Sequence, residues 1–379
     1  MLIFRLLLGL SEAAFGPGVP FYLSFFLRRD ELAYRTGLFI SAAPLASTFA
    51  STLAYGIMKL GDRTKIQSWR LLFIVEGFPS VLVAVLAWFW IPDSPATARW
   101  LKPRECRIAT LRLRKKNESD LYEKHPTTPK QSKQSLRKGL DWREISKTLL
   151  DPKSYLTAAM FFSVNTAFAS MPVFSPIIVQ AIGYSPLASQ GLPALPHLCA
   201  FATVLITAKI SDRLCNRAYP LALVALCAMI GYILLALAKP LNLSNIVRYL
   251  CLFPITAGFF SAVTLVIVWT LDNQQSNEGK GTGVALLNMI GQIGSLLGSN
   301  LYPKSNGPFF VKGHAVCAGF MALVAVLAVG LRVVLKNANG KRVVGDGKAI
   351  YERLGGDDQE SRSGGDGDFK KEEEFLFML

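Results

Sequence analysis

The stretch YLCLFPITAGFFSAVTLVIVWTL, residues 249–271, contains no Asp, Glu, Lys or Arg. At a rise of about 1.5 Å per residue, a helix of this length is about 35 Å long, enough to cross the hydrocarbon core of a bilayer. The apolar residues run continuously instead of alternating, which argues against a strand of a membrane barrel. This stretch therefore predicts a transmembrane helix.

Similar stretches recur along the 379 residues, of which 51% are hydrophobic and only 18% charged. An ordinary soluble domain has about 25% charged residues. We predict nine spans, at residues 4–27, 36–58, 71–92, 154–176, 188–208, 218–238, 249–271, 281–303 and 313–335. The fourth and fifth spans are separated at GYSP, residues 183–186. The predicted fold class is an all-α polytopic membrane protein.

The formal charge of +15 lies mainly outside the spans, in residues 99–153 and in the tail from Arg332. This placement argues against nucleic acid as a partner and favours a cytoplasmic location for both segments. We predict a partial bundle of three spans over 1–98, a basic cytoplasmic linker over 99–153, a six-helix bundle over 154–335 and a disordered cytoplasmic tail over 336–379. Within the linker, an amphipathic helix is predicted near 103–116.

The six cysteines and three histidines lack the spacing of a metal site. The sequence also lacks an ATP-binding loop and a nucleophile constellation. It therefore predicts no metal, no cofactor and no enzymatic activity.

The first span carries one charge of each sign, Arg5 and Glu12. Seven residues make nearly two helical turns, so the two side chains share one face, about 10 Å apart along the axis. A lone charge is costly in lipid, which favours a face turned into the bundle. Two interpretations stay open. Arg5 holds a substrate carboxylate while Glu12 exchanges a proton, or Arg5 reaches the outer interface and Glu12 is a neutral structural residue.

The segment RLLLGLSEAAFGPG, residues 5–18, fits the pattern R-x-x-L-G-x-x-E-A-x-x-x-P-G. Further matching stretches are SWRLLFIVEGFPS (68–80), IPDSPATARWLKPRE (91–105), KISDRLCNR (209–217) and VWTLDNQQSNEGKGTG (268–283). In these motifs the chain resembles the major facilitator superfamily up to about residue 340. More narrowly, it resembles the allantoate permease branch of the anion:cation symporters, best known from fungi. Members have twelve helices, so the resemblance implies that the nine spans are helices four to twelve and that the first three would precede Met1.

The resemblance implies proton-coupled symport of a small organic anion of the carboxylate, vitamin or nitrogen-source type. It assigns the anion to Arg5 and the proton to Glu12. Further candidates to line the cavity are Asn165, Gln190, Trp269, Asn288 and Gln292. For each of these, an interhelical hydrogen bond or packing is the alternative.

Two other features predict helix contacts. Asp212, Arg213 and Arg217 resemble a second-half version of the latch that joins the two bundles of the family, or else form a juxtamembrane basic loop. Gly294 and Gly298 form a G-x-x-x-G pair, which predicts a close approach of two helices or, as the alternative, a point of flexing during gating. Asp272 departs from the family, which usually has an asparagine pair there.

The expected partners are a small organic anion, protons and the lipid bilayer, with the chain acting as a monomer. We expect a multi-pass protein of the plasma membrane, with an internal membrane as the alternative. The alternative function belongs to another class: a truncated transporter fragment or sensor that does not transport. Its basis is the resemblance itself, because helix one of the family contributes to the substrate path.

Overall fold

The computed structural model describes residues 2–13, 15–61, 68–114, 141–183, 191–274, 276–303, 309–355 and 378. Every regular element in these residues is a helix. In chain order the helices are α1 (Leu2–Glu12), α2 (Phe15–Leu23), α3 (Arg29–Gly61), α4 (Ser68–Trp90), α5 (Pro103–Arg114), α6 (Trp142–Leu150), α7 (Pro152–Ile182), α8 (Ala194–Leu214), α9 (Ala218–Ala236), α10 (Asn245–Leu250), α11 (Leu252–Asp272), α12 (Asn277–Gly298) and α13 (Val311–Gly355).

Seven helical stretches among the described residues are long and apolar enough to cross a membrane. They are Leu6–Leu23, Phe73–Trp90, Ala194–Leu214, Ala218–Ala236, Asn245–Asp272, Asn277–Gly298 and Val311–Gly340. The predicted spans at 36–58 and 154–176 fall on α3 and α7, which are 33 and 31 residues long. Each predicted span thus overlaps a helix, and the all-α fold class is confirmed.

The first predicted span is divided into α1 and α2. The N–H of Ala13 still bonds the carbonyl of Gly9 at 2.9 Å, which continues the hydrogen bonding of α1. Pro17 has no N–H to donate to the carbonyl of Ala13, and its ring crowds that carbonyl. The proline therefore explains why one apolar stretch forms two helices.

We call the spans predicted over 1–98 the first group and those predicted over 154–335 the second group. Two aspartates begin the helices at the junction between the predicted linker and the second group. Asp141 accepts a hydrogen bond from the N–H of Arg143, and Asp151 accepts one from the N–H of Lys153, each at 3.0 Å. Side-chain acceptors of this kind satisfy N–H groups that the first helical turn leaves without partners. α7 then runs to Gly183, whose left-handed backbone (φ 114°) ends the helix at the predicted GYSP break.

α11 forms the centre of the core and is buried along nearly its whole length. It packs against α3, α7, α8, α9 and α12. Phe168 of α7 meets Phe259 and Phe260 of α11 edge to face, with ring centroids 5.5 and 5.3 Å apart. The charge-free stretch 249–271 therefore forms the central, buried helix of the fold.

A stripe of glycines lets α12 lie directly on α7. A Cβ at Gly294 would lie 2.2 Å from the carbonyl oxygen of Phe162, and one at Gly298 would lie 2.3 Å from that of Thr166. Such distances are far inside van der Waals contact, so these positions accept only glycine while the two backbones stay this close. The close contact predicted from the G-x-x-x-G pair is confirmed.

α3 is the helix of the first group that packs into this core. Leu32 and Ala33 are buried, and a Cβ at Gly37 would lie 3.0 Å from the Cβ of Ala208 on α8. By contrast, none of the residues Phe73–Trp90 of α4 is buried. The first group thus joins the second mainly through α3.

The linker and the tail contain helices as well. α5 covers the predicted amphipathic helix, and residues 115–140 lie outside the described part. α13 continues to Gly355, well beyond the end of the last predicted span at residue 335. Hydropathy indicates where an apolar surface ends, not where the backbone stops being helical. The segment predicted to be disordered therefore begins with a helical stretch.

Candidate functional site

Arg217 lies between α8 and α9 and is completely buried, at 0% exposure. Its Nε donates to Oδ2 of Asp272 at 3.0 Å, and its Nη1 donates to Oδ1 of Asp212 at 2.6 Å. Nη1 also donates to Oγ of Ser211 at 3.0 Å, and Nη2 donates to the carbonyl of Arg29 at 2.7 Å. All three guanidinium nitrogens are therefore engaged.

The local sequence builds the turn that holds this arginine. Cys215 ends α8 in a left-handed conformation, with φ 46°. The hydroxyl of Ser211 donates to the carbonyl of Asn216 at 3.0 Å, which closes the turn. The side-chain oxygen of Asn216 in turn accepts from the N–H of Tyr219 at 3.2 Å, in the first turn of α9. This short connection delivers Arg217 to the interior.

Asp212 binds the beginning of α3 in addition to Arg217. Its two oxygens accept hydrogen bonds from the N–H groups of Ala33 at 3.3 Å and Tyr34 at 2.7 Å. These donors belong to the fifth and sixth residues of α3, close to the N-terminal end of the helix, where the dipole favours a negative charge. An acid of α8 thus binds α3 of the first group near its N-terminal end.

We call the set formed by Arg217, Asp212, Asp272 and the beginning of α3 the latch, and the end of the molecule where it lies the latch end. The latch joins α3 of the first group to α8 and α11 of the second. It includes two of the three residues that resembled a family latch, while Arg213 is exposed. The alternative of a mere juxtamembrane basic loop is therefore wrong for Arg217.

The electrostatics of the latch favour a permanently charged arginine. Burial alone would lower the pKa of Arg217, but the carboxylates of Asp272 and Asp212 outweigh it and raise the pKa above its usual value. Arg217 therefore stays protonated throughout the physiological range. Oδ1 of Asp272 is buried and has no hydrogen-bond partner among the described residues. Removing one partner of such a buried pair leaves an uncompensated charge, which typically costs about 3–5 kcal/mol.

Other contacts surround the latch. The ring of Phe21 on α2 lies 3.5 Å from where a Cβ would stand at Gly281 on α12. Arg112 of α5 forms an ion pair with Glu31 in the first turn of α3. These contacts bring the first group, the linker and the second group together at the latch end. This is the end that the sequence predicts to be cytoplasmic.

The two charged candidates of the first span both lie on α1. Glu12 is exposed, and the side chain of Arg5 lies outside the described residues. Both residues lie on one helix, as the sequence predicts. The exposure of Glu12, however, contradicts the expectation that its face turns into the bundle, as far as the described part of the chain goes.

Three of the polar candidates lie on α7 and α12. Asn165 is 4% exposed, and its Nδ2 lies 3.0 Å from where a Cβ would stand at Gly291. That Nδ2 has no hydrogen-bond partner in the described part of the chain. Asn288 donates to the carbonyl of Val284 at 2.9 Å, and Gln292, which is exposed, accepts from Ser295 at 3.3 Å. Asn165 thus has an unused buried donor at the contact with α12.

The remaining two candidates for the substrate path are Gln190 and Trp269. Gln190 lies outside the described residues. Trp269 is fully buried in the last turn of α11, and its indole N–H donates to the carbonyl of Met378 at 2.8 Å. Trp269 therefore belongs to the latch end, three residues before the latch acid Asp272.

Two contacts of this end are not predicted by the sequence. Asp272 departs from the family at its position, but the sequence predicts no partner for it. The sequence does contain a signal for a cationic partner, because Asp272 is an acid directly after the charge-free stretch 249–271. The contact of Met378 gave no signal, since nothing in the sequence pairs a tail residue with α11.

Long apolar helices, joined at one end by a buried ionic latch, define a polytopic membrane protein. Residues 1–299 match the family model described as Major Facilitator Superfamily, and the chain belongs to this superfamily. The family and the relatives are transporters, not enzymes.

Two fungal relatives illustrate the similarity. The "MFS transporter prlL" of a fungal species (strain NRRL 50135) is 29% identical over 343 residues, which are 90% of this chain and 66% of that protein. The "Major facilitator-type transporter hxnP" of Emericella nidulans is 26% identical over 340 residues, 89% of this chain and 65% of that protein. The chain thus spans slightly less than two thirds of the length of these relatives.

Solved structures support the same fold. The proton:xylose symporter XylE bound to 6-bromo-6-deoxy-D-glucose aligns with a TM-score of 0.56 at 16% identity, covering 84% of this chain and 66% of that chain. The partially occluded inward open conformation of XylE from E. coli aligns with a TM-score of 0.52 at 17% identity, covering 81% and 65%. At these identities the likeness concerns the fold alone.

Proposed function

We propose that the protein is a secondary active transporter that moves a small organic anion together with protons, by alternating access between two groups of helices. The observation that carries this proposal is the latch. A buried arginine holds two acids from the second group and the start of a helix from the first. If the two groups separate at this end, these contacts have to break.

The physics of a buried ion pair suits a device with two states. Fully made, the latch satisfies Arg217 from several sides; fully open, each charge is hydrated by water. A half-broken latch leaves a buried charge without a partner, which is the costly arrangement. Packed interfaces of this kind switch between discrete states instead of deforming gradually. The latch therefore favours a closed and an open state of this end over intermediates.

The substrate and proton roles fall to α1. Arginine binds a carboxylate through two parallel N–H donors, which makes Arg5 the proposed anion site. Glu12, the one acid of α1, is the proposed proton carrier, because the resemblance assigns the proton to this position. The support is their placement on one helix, seven residues apart. The structural interpretation of this pair, without transport, remains the competing one.

The lining of the substrate path is proposed from the polar residues of the second group. Asn165 offers a buried amide donor at the contact of α7 with α12, and Asn288 and Gln292 lie on α12. Gln190 is retained as a candidate on sequence grounds. For Trp269 a substrate role requires that its N–H leave Met378, because that donor is already used.

The narrower assignments rest on the motifs of the sequence. These motifs favour the allantoate permease branch and an anion of the carboxylate, vitamin or nitrogen-source type. The extensive apolar exposure of α4 favours the second candidate, a fragment or sensor that does not transport, since such a surface must meet lipid or other helices.

Uptake by living cells distinguishes these two functions. The chain, with a fluorescent tag to measure its amount in the membrane, is expressed in cells that lack their own organic-anion permeases. Uptake of a panel of labelled carboxylates is then compared at external pH 5 and pH 7. We expect uptake of at least one acid, faster at pH 5. Protein in the membrane without uptake of any acid would support the non-transporting alternative.

A further inference from the structure

We propose that the latch end carries a docking site, formed by α7, α11 and α13, for the apolar segment of the tail that contains Met378. Both backbone polar groups of Met378 are bound there. Its N–H donates to Oδ1 of Asn273 at 2.9 Å, and its carbonyl accepts from Nε1 of Trp269 at 2.8 Å. The two partners are four residues apart, so they lie on one face at the end of α11.

The surroundings of this contact are partly apolar and partly polar. A depression lies at the same place, with Trp269 of α11 and Leu331 and Leu335 of α13 as its apolar residues, while its other residues are polar or charged, Asp151 and Lys153 among them. Trp269, Leu331 and Leu335 are almost completely excluded from solvent. The site therefore combines an apolar floor with side-chain groups that hold the backbone of one residue.

The sequence of the tail supplies a matching ligand. Residues 356–368 are GDDQESRSGGDGD, without a single large apolar residue, whereas residues 375–379 are FLFML. Burying such an apolar cluster is favourable, by about 25 cal/mol for each Å² of apolar surface removed from water. A long polar connection that ends in an apolar cluster has the composition of a tether with an anchor.

The tether is long enough to reach the site. Met378 follows Gly355, the end of α13, by 23 residues. Extended chain covers about 3.3 Å per residue, so these residues span up to about 75 Å. The part of α13 beyond Leu335 is about 30 Å long at 1.5 Å per residue. The number of residues therefore suffices for the contact of Met378 with α11.

The site lies beside the latch, which gives the docking a consequence. Trp269 and Asn273 flank Asp272, the acid that holds Arg217. A segment bound to both flanking residues fixes the last turn of α11 where Asp272 meets the arginine. A ligand that prefers one state shifts the population toward that state. We therefore infer, on the basis of the proposed function, that the tail acts as a brake on opening of the latch end.

Photo-crosslinking of the full chain tests the docking without any need for transport. A small aliphatic diazirine amino acid is placed at position 378 in membranes, and the crosslinked peptides are identified by mass spectrometry. We expect adducts within 151–157, 269–274 and 331–335. Trp269→Phe keeps an aromatic ring but removes the N–H, and Asn273→Leu removes the acceptor.

Each of these changes should reduce crosslinking about two- to tenfold, the effect of one hydrogen bond. The matched control is Trp100→Phe at an exposed tryptophan, which should change nothing. Monodisperse elution in detergent shows that each variant is folded. Adducts distributed elsewhere on the protein, or adducts unaffected by both substitutions, would refute the docking site.

Transport rates test the brake. Met378→Pro removes the N–H that Asn273 accepts, whereas Met378→Leu keeps it. We expect Met378→Pro to increase the initial uptake rate severalfold and Met378→Leu to leave it unchanged. Equal rates in both variants, together with intact crosslinking, would refute the brake but not the docking. If neither the variants nor the unchanged chain transports any acid, the proposed function fails. Crosslinking then still decides whether the segment docks.

Discussion

Nε of Arg217 lies 3.0 Å from Oδ2 of Asp272, although the two residues are 55 positions apart, and both side chains are completely buried. This bond ties the turn after α8 to the last residue of α11. Asp212 then extends the same network to the start of α3. Removing a cation that holds two acids and the start of a helix in the interior leaves buried charges without a partner, which is costly.

Arg217→Ala should destabilise the protein strongly, because Asp212 and Asp272 would remain buried without their cation. The loss of one partner of a buried pair is typically worth about 3–5 kcal/mol. Arg217→Lys should also destabilise, because a single ammonium cannot reach all the partners of the guanidinium. The measurement is the unfolding temperature in detergent micelles. Arg213→Ala, an exposed arginine on the same turn, is the matched control and should have little effect. Equal unfolding temperatures for the Arg217 and Arg213 variants would contradict the buried latch.

Gly294→Ala should destabilise the packing of α12 on α7, because the new Cβ would lie 2.2 Å from the carbonyl oxygen of Phe162. Forcing an extra methyl group into such a contact typically costs about 1–3 kcal/mol. Gly330→Ala on α13 is the control, since no atom stands within 4 Å of its Cβ position. There alanine should be neutral or stabilising, because it is the better helix former. Thermal unfolding of both variants gives the comparison, and a harmless Gly294→Ala would argue against the close contact.

Glu12→Gln should abolish proton-driven uptake and leave substrate exchange across the membrane intact. Glutamine has nearly the same shape and hydrogen-bonding reach but cannot carry a proton. Uptake driven by a pH gradient and exchange without a gradient are measured on the same preparation. Ser11→Ala, the neighbouring exposed position on α1, serves as the control for helix perturbation. Uptake that keeps its pH dependence in Glu12→Gln would remove this residue from the mechanism.

Arg5→Lys should weaken transport strongly even though the charge is retained. Lysine offers a point charge and cannot reproduce the two parallel donors that bind a carboxylate. Disrupting a buried charged contact typically costs about 2–5 kcal/mol, which corresponds to about a thirtyfold to several-thousandfold loss of affinity. If Arg5 only reaches the membrane interface, lysine should replace it with little effect. A well-expressed Arg5→Lys protein with normal uptake would leave Arg5 as a structural residue.

The helices and one helix contact could be predicted from the sequence because both depend on local patterns. Hydropathy located α11 within a few residues, and the spacing of Gly294 and Gly298 predicted a close approach. Even so, hydropathy did not reveal the division of the first span, because the effect of Pro17 on the carbonyl of Ala13 concerns backbone bonding and not apolarity.

The latch could be predicted only in part. Its turn was recognised through the KISDRLCNR stretch, but the choice of Arg217 over Arg213 depends on which side chain the turn directs inward. The carbonyl of Arg29, the pairing with Asp272 and the contact of Met378 all join distant segments. Pairings of this kind follow from how the helices pack in three dimensions, and no periodicity in the sequence contains that information.

The central claim is that anion and proton move together, and the most direct test measures both at once. The purified chain is reconstituted in proteoliposomes that contain a pH-sensitive dye, with the labelled acid that the uptake panel identifies placed outside. An inward proton gradient is then imposed. The account predicts that anion entry is accelerated by the gradient and is accompanied by acidification of the lumen in a fixed ratio, which Glu12→Gln eliminates. Anion entry that ignores the gradient and moves no protons, or the absence of any entry, would contradict it.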